Sequence, residues 1–195
     1  IGMIGKIGDA ARTCTQYFKD VDHTIILLGE NRDEIGGSEY LAVVHDRVSG
    51  DAPILDLDAE KALHACLVQG IARGLIRSAH DCAEGGLAVA LAESCFGNTS
   101  GCIAARVDIP RNGIRPDALL FGETQSRAVV SCADEDVADL IECAREHGVP
   151  CQVIGVTVPE DLIIAIDGSE YVHADCAEVH RIWSTAIENR LASEG

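Results

Sequence analysis

Residues 80–97, with the sequence HDCAEGGLAVALAESCFG, constrain the fold of this 195-residue chain more than any other stretch. A polar, acidic turn leads into a pair of glycines and then into a helical segment in which Glu93 is the only charged residue. A helix that is apolar on nearly every side is typical of the middle of a fold, where other layers cover it. The sequence therefore predicts a central buried helix that Gly97 ends and whose entrance follows the acidic turn.

The entrance of this helix is a candidate ligand site. Gly85 and Gly86 would let a phosphate approach the free N–H groups and the positive end of the helix dipole. Asp81 and Glu84 already supply negative charge at the same place, so they would repel a phosphate unless Mg²⁺ bridged the two. Two interpretations stay open: Asp81 and Glu84 act as metal ligands, or the turn only caps and packs the helix. The second is favoured, because a lone Gly-rich turn is a weak motif.

A second candidate site is a polar cluster between two apolar segments. It consists of Glu123, Thr124, Gln125, Ser126 and Arg127. An acid, an amide, two hydroxyls and a guanidinium within five residues can hold a polar ligand through several directed hydrogen bonds. The alternative is an interstrand turn whose side chains satisfy nearby backbone groups, and the sequence does not decide between them.

The order of the secondary-structure elements indicates the fold class. Strands and helices alternate, but the last three strands follow one another through short turns. This predicts an α+β domain with a mixed sheet between helices, a three-layer α/β/α arrangement rather than a doubly wound parallel fold. We expect residues 1–8 to form a glycine-rich strand and a C-terminal helix over 176–191 to bury its apolar side chains, which are Val179, Ile182, Trp183, Ala186 and Ile187.

Local patterns predict several individual elements. Apolar runs predict strands at 24–28 and 151–158, and a proline followed by apolar residues predicts a helical turn at 116–121. Helical periodicity predicts a long helix capped by Asp58 that reaches residue 76. Gly70 and Gly74 lie on the apolar face of that helix, so another element should approach it closely there.

Composition excludes several classes of function. With 15 basic and 32 acidic residues, the net charge of −17 opposes binding to nucleic acid or to an anionic membrane surface. Neither a spanning helix nor a signal peptide is indicated, so we expect a cytoplasmic protein. None of the nine cysteines forms a CxxC pair, which is typical of reduced core thiols. Because the chain opens on Ile1 inside an apolar run, we expect residues 1–195 to be one domain of a longer polypeptide.

Other patterns in the sequence are weaker evidence for a functional site. His173, Cys176 and His180 could share a zinc ion, but a change from strand to helix between them and the lack of a fourth ligand disfavour this. The acidic loop at 30–39 is either a metal site or, as favoured, a solvated turn. No Walker-type loop, no Gly-x-Ser-x-Gly elbow and no nucleophile with a neighbouring base is present, so no catalytic residue is predicted.

Three segments together resemble a known family. They are Leu28-Gly29-Glu30 with Gly36-Gly37-Ser38-Glu39, residues 80–93, and residues 120–127. In this order and spacing they are similar to the second C-terminal-type domain of phosphoribosylformylglycinamidine synthase, in its glutaminase-lacking large-subunit form, a member of the aminoimidazole ribonucleotide synthetase superfamily. The resemblance covers nearly the whole chain and implies the three-layer α/β/α fold of that superfamily.

The resemblance also implies an activity and partners. The whole enzyme would use ATP and Mg²⁺ to convert formylglycinamide ribonucleotide to its amidine, with ammonia from glutamine. The implied partners are the preceding domains of the same polypeptide, a glutaminase and a small accessory subunit. The family's catalytic histidine and ATP-binding lysine lie in earlier domains, so this domain alone would be inactive.

The resemblance reaches individual residues at one place. A Glu-Ser-Gln motif binds substrate in the first C-terminal-type domain, and Glu123, Thr124 and Gln125 are similar to its duplicated copy. That copy is associated with an auxiliary nucleotide site or with none. Ala83 and Glu84 stand where Ser-Asp is common, which keeps the acid and loses a hydroxyl.

Two other functions are compatible with the sequence. The chain could be a free-standing binding or assembly module that uses the Gly70/Gly74 face or the acidic loop at 30–39 as its contact. It could also be another member of the same superfamily, such as a selenophosphate synthetase or a hydrogenase-maturation protein, although the Glu-Thr-Gln-Ser-Arg sequence argues against this.

Overall fold

A seven-stranded mixed sheet forms the centre of the molecule, which we describe from a computed structural model for residues 5–97 and 102–193. The spatial order of the strands is β2-β4-β1-β5-β3-β6-β7. In this part of the chain β3 and β6 pair in parallel and the other neighbours pair antiparallel. The strands are β1 (Thr24–Leu28), β2 (Ser78–Asp81), β3 (Ala104–Ile109), β4 (Ala128–Cys132), β5 (Cys151–Val158), β6 (Asp161–Ile166) and β7 (Ser169–Asp175).

Helices cover both faces of the sheet. Those of the described residues are α1 (Glu39–His45), α2 (Leu57–Ala72), α3 (Gly86–Ser94), α4 (Pro116–Phe121), α5 (Val137–His147) and α6 (Cys176–Ser193), with 3₁₀ turns at Ala10–Arg12 and Asp134–Asp136. Within the described residues, none of these helices is long and apolar enough to cross a bilayer.

Alternation along β1 divides the core into two layers. Ile25 and Leu27 point to one side of the sheet and pack in a cluster with α3 and α4. Ile26 and Leu28 point to the other side and pack with α2 and α5. Successive side chains of a strand face opposite ways, so a strand buried on both faces requires a layer on each side. The α+β class with a mixed sheet and the three-layer arrangement predicted from the sequence are confirmed.

The predicted central helix is α3, and it is buried as expected. Leu87 and Leu91 are fully buried at 0% exposure. The helix ends earlier than predicted, because Cys95 N–H donates to the Ala92 carbonyl and so tightens the last turn into a 3₁₀ geometry. Gly97 is therefore not the residue that ends the helix.

The long helix α2 begins and ends earlier than its sequence pattern predicts. Asp56, rather than Asp58, is the N-cap, and its carboxylate accepts from Asp58 N–H and Ala59 N–H. Gly74 adopts a left-handed conformation with φ of 76°, and Leu75 N–H donates to the Gly70 carbonyl at 2.9 Å, which is the bonding of a Schellman motif. The backbone thus leaves the helix before residue 76.

The Gly70/Gly74 face is not an external contact surface. A Cβ on Gly70 would lie 2.7 Å from Cδ1 of Ile76 and 3.6 Å from Cδ1 of Leu140, so this glycine permits packing inside the chain's own core. Gly74 is exposed, and a Cβ added to it would have no atom within 4 Å. The two glycines therefore serve packing and chain reversal, and the proposed use of their face by a binding module is wrong.

Both chain ends differ from expectation. Residues 5–8 are not a strand, and residues 1–4 of the expected strand lie outside the described residues. Helix α6 leaves its apolar stripe in solvent: Ile182, Trp183 and Ile187 are exposed, as is Ala186. The first half of the helix packs on the fold through ring contacts of His180 and Trp183 with Phe96. Val179 is half-buried, and the described part of the chain leaves the other four side chains exposed, so the expected burial of this apolar face is wrong.

Candidate functional site

The segments that carry the family resemblance meet at one end of β1. A Cβ on Gly86 would lie 2.6 Å from the Gly122 carbonyl oxygen, and one on Gly29 would lie 2.2 Å from that of Ser126. A Cβ on Gly122 would lie 2.5 Å from the Glu34 carbonyl oxygen. Backbones in direct contact leave no room for a side chain, so these glycines are needed for packing. We call this meeting point the junction.

Glu123 joins two helices across the junction. Its Oε1 accepts from Glu39 N–H at the start of α1 at 2.8 Å and from Gly85 N–H at the start of α3 at 3.0 Å. A carboxylate between two helix N-termini satisfies free donors and the positive ends of both dipoles. The chain thus places its own anion at the entrance where Gly85 and Gly86 would have received a phosphate.

Arg127 is a buried structural residue with 3% exposure. Its guanidinium donates to the carbonyls of Thr124 at 2.9 Å and Gly122 at 2.7 Å, and to Oδ1 of Asn31 at 2.8 Å. Burial lowers the pKa of Arg127 from its ordinary value. With its donors directed at the chain itself, Arg127 fixes the turn from Gly122 to Thr124.

The remaining members of the predicted polar cluster point in different directions. Thr124 is buried, and its Oγ1 has no hydrogen-bond partner among the described residues. Gln125 is exposed, and its Nε2 donates to the Glu123 carbonyl at 3.0 Å. Ser126 has φ of 58°, and its Oγ donates to Oε2 of Glu60 on α2 at 2.5 Å. The hydrogen bonds of Gln125 and Ser126, like those of Arg127, are made within the chain.

Asp81 and Glu84 lie on the surface, where Asp81 lines two clefts and Glu84 lines one of them. One cleft, of about 420 Å³, is lined by Glu39, His80, Asp81, Ala83, Glu84, Gly85, Val89, Ala90 and Glu93. The other, of about 210 Å³, lies on the far side of His80 and is lined by residues that include Glu60, His64, Asp81, Gln125 and Ser126. The side chain of Asp81 is 80% exposed. Within the described residues, no three His, Cys, Asp or Glu side chains are arranged to hold a metal ion.

His80, which the sequence did not single out, stands between the two clefts with an 11% exposed side chain. Its Nε2 lies 3.0 Å from Oε2 of Glu93, and its Nδ1 lies 2.8 Å from the Asp81 carbonyl oxygen. Oε1 of Glu93 also accepts from Trp183 Nε1–H at 3.1 Å, which ties α6 to the central helix. The sequence does contain a signal for this pairing. Glu93 is the single charge on an otherwise apolar helix, and such a charge needs a partner.

Cys82 is not activated as a nucleophile. Cys82, inside the acidic turn, is buried, and burial raises its pKa to about 11. A thiol with so high a pKa is protonated near neutrality and is a poor nucleophile. The described cysteines are free thiols, as the sequence indicated.

The predicted zinc ligands have different neighbours. His173 on β7 pairs with Asp161 at 3.3 Å and with Glu170 at 3.2 Å. Cys176 is buried, and the ring of His180 lies 5.3 Å from that of Phe96. His173 lies on β7, whereas Cys176 and His180 lie on α6, and these three do not form a group that could hold a metal ion among the described residues.

Comparison with known proteins decides the family. Residues 20–168 match the family model described as AIR synthase related protein, C-terminal domain. The chain belongs to this family. It is 42% identical over 192 residues to the phosphoribosylformylglycinamidine synthase subunit PurL of Moorella thermoacetica, an alignment that covers 98% of this chain and 26% of the relative. It is 39% identical over 188 residues to PurL of Caldanaerobacter subterraneus, covering 96% of this chain and 25% of that protein.

Solved structures agree on the fold. T. maritima PurL complexed with FGAR superposes with a TM-score of 0.76 at 18% identity, covering 88% of this chain and 30% of that one. The chain therefore spans about a quarter of the length of the curated relatives it matches. The resemblance seen in the three sequence segments is confirmed, and those segments form the junction of this AIR synthase-related domain.

Proposed function

We propose that the chain is the second C-terminal-type domain of a phosphoribosylformylglycinamidine synthase. The whole polypeptide would convert formylglycinamide ribonucleotide to its amidine in purine biosynthesis, with ATP, Mg²⁺ and ammonia from glutamine. The observation that carries this proposal is the identity of 42% across 98% of the chain, within only 26% of the relative. Such a match fits one domain of a four-times longer enzyme.

The junction supports a structural role for this domain, inactive by itself. Its anion-binding helix entrance is filled by Glu123, its arginine is directed inward, and the thiol of Cys82 is buried. None of these groups pairs a nucleophile with a base. The domain would instead pack against the preceding domains and keep the geometry of a nucleotide site that those domains complete.

If that auxiliary site is occupied, Asp81 and Glu84 would contribute through Mg²⁺. They are exposed carboxylates beside an open cleft, and two carboxylates fit the usual way in which Mg²⁺ binds protein while it holds a phosphate. Gly85, Gly86 and Gln125 would line the same region. The partners would be the preceding domains, a glutaminase and a small accessory subunit, in the cytoplasm.

The complete reading frame provides the test. Its product should form the amidine from formylglycinamide ribonucleotide, ATP, Mg²⁺ and ammonium. In the same polypeptide, Asp81→Asn combined with Glu84→Gln should weaken the binding of Mg-ADP in calorimetry, whereas Glu160→Gln, at an exposed turn between β5 and β6, should not. A complete polypeptide that is folded and forms no amidine would overturn the proposed activity; unchanged Mg-ADP binding in the double variant would overturn the metal role.

A further inference from the structure

Large aliphatic side chains concentrate in one outward-facing stretch. Residues 43–57 carry six that are between 57% and 88% exposed: Val43, Val44, Val48, Ile54, Leu55 and Leu57. We call this stretch the outer segment. Exposed aliphatic residues scattered singly are normal, but a concentration of this kind is typical of an interaction surface.

The backbone of the outer segment is fixed, so the exposure is not that of a loose loop. Gly37 N–H donates to the Ser49 carbonyl at 3.0 Å, and Ile54 N–H donates to Oε1 of Glu34 at 3.1 Å. A Cβ on Gly36 would lie 2.3 Å from the Asp51 carbonyl oxygen, which shows how closely the two backbones approach. The segment is thus held against the 34–37 turn while its aliphatic side chains point outward.

The charges around the outer segment indicate which kind of protein surface could bind there. Along the sequence, up to the first turn of α2, its border carries five acids, Asp46, Asp51, Asp56, Asp58 and Glu60, against the base Arg47. Arg115 lines a cleft with Arg47 and Ile54, and its charge is paired with Asp117. A second copy of this chain, whose net charge is −17, would bring acids against acids. The favoured occupant has an apolar patch bordered by lysine and arginine.

We propose that the outer segment is the surface through which this domain docks on another folded domain of the same polypeptide, one that presents an apolar patch with a basic border. The inference rests on the proposed function, since the relatives are about four times this length and the proposed enzyme would have further domains before this one. It adds the location of the contact and the chemistry of the partner surface.

Carbene footprinting, which labels aliphatic side chains in proportion to their exposure, tests the proposal. The isolated 195-residue chain and the complete polypeptide are labelled under the same conditions. Labelling of residues 43–57 should fall about fivefold or more in the complete polypeptide, because the centre of an interface is desolvated. Val68, which is 69% exposed on α2 outside the outer segment, serves as the control and should label alike in both.

Charged substitutions in the outer segment test whether the contact is apolar. In the complete polypeptide, Val48→Glu combined with Leu55→Glu should restore labelling at Val44 and Ile54, while Val68→Glu should not. Equal labelling of the outer segment in both proteins would overturn the proposal. So would protection in the isolated chain together with a dimer in sedimentation, since the occupant would then be a second copy.

The two proposals fail separately. An active enzyme whose outer segment stays fully labelled overturns the docking surface and leaves the activity standing. A complete polypeptide that protects the outer segment and forms no amidine overturns the activity and leaves the docking surface standing.

Discussion

Removing the Glu123 carboxylate should separate the starts of α1 and α3. In the folded chain one oxygen accepts two backbone N–H groups, from Glu39 and Gly85. A hydrogen bond to a charged group contributes about 1.5–3 kcal/mol when the group is buried. Glu123 is half-buried and water can reach the freed N–H of exposed Glu39, so each bond falls at the low end of that range. Glu123→Ala should therefore lower the free energy of unfolding by about 3 kcal/mol.

A milder variant isolates the charge. Glu123→Gln keeps an oxygen acceptor and loses the interaction with two helix dipoles, each of which contributes about 0.3–1 kcal/mol. The expected loss is about 1 kcal/mol, so the stability of this variant should lie between that of the wild type and that of Glu123→Ala.

Urea unfolding of the isolated chain, followed by circular dichroism, measures both losses. Glu160→Ala, at an exposed turn, is the matched control and should stay within about 0.5 kcal/mol of the wild type. If Glu123→Ala were no less stable than the control, the carboxylate would not be holding the two helices, and the structural interpretation of the junction would be wrong.

Other predictions concern the same fold. Gly122→Ala should destabilise the chain by about 2 kcal/mol or more in urea, because two backbone carbonyl oxygens lie within 2.5 Å of the added Cβ, whereas Gly8→Ala, in open space, should not. Arg127→Met should cost about 3 kcal/mol, since it leaves two buried carbonyls and the half-buried Oδ1 of Asn31 without this donor; a cost below about 1 kcal/mol would contradict its role. His173 has a pKa raised from 6.5, chiefly by its hydrogen bond to Asp161, so its contribution to stability should be present below pH 6.5 and lost as pH rises through the folded pKa. Nuclear magnetic resonance titration of His173 should show the raised pKa, and a value at or below 6.5 would contradict it.

The sequence correctly predicted those strands and helices whose bounds depend only on neighbouring residues. The strands at 24–28 and 151–158 and the helical turn at 116–121 have the bounds expected from their apolar runs and proline. The two-sided burial of β1 was likewise visible in its uninterrupted apolar sequence. These elements need no information from distant parts of the chain.

The role of the candidate site could not be predicted in the same way. Glu123 looked like a ligand residue because the sequence does not show which groups donate to its carboxylate, and those donors lie 84 and 38 positions away. Periodicity in α6 identified an apolar face but not what covers it, so its burial was wrongly expected. The pairing of His80 with Glu93 also depends on how β2 and α3 pack.

We propose that this domain contributes structure and no reactive centre of its own. The direct measurement is an assay of the isolated, folded chain for ATP-dependent formation of the amidine from formylglycinamide ribonucleotide and ammonium, with product detected by mass spectrometry. If the domain is structural, no product should form above the level seen without protein. Turnover by the isolated chain that Asp81→Asn or Glu84→Gln abolishes, while Glu160→Gln leaves it intact, would contradict the claim.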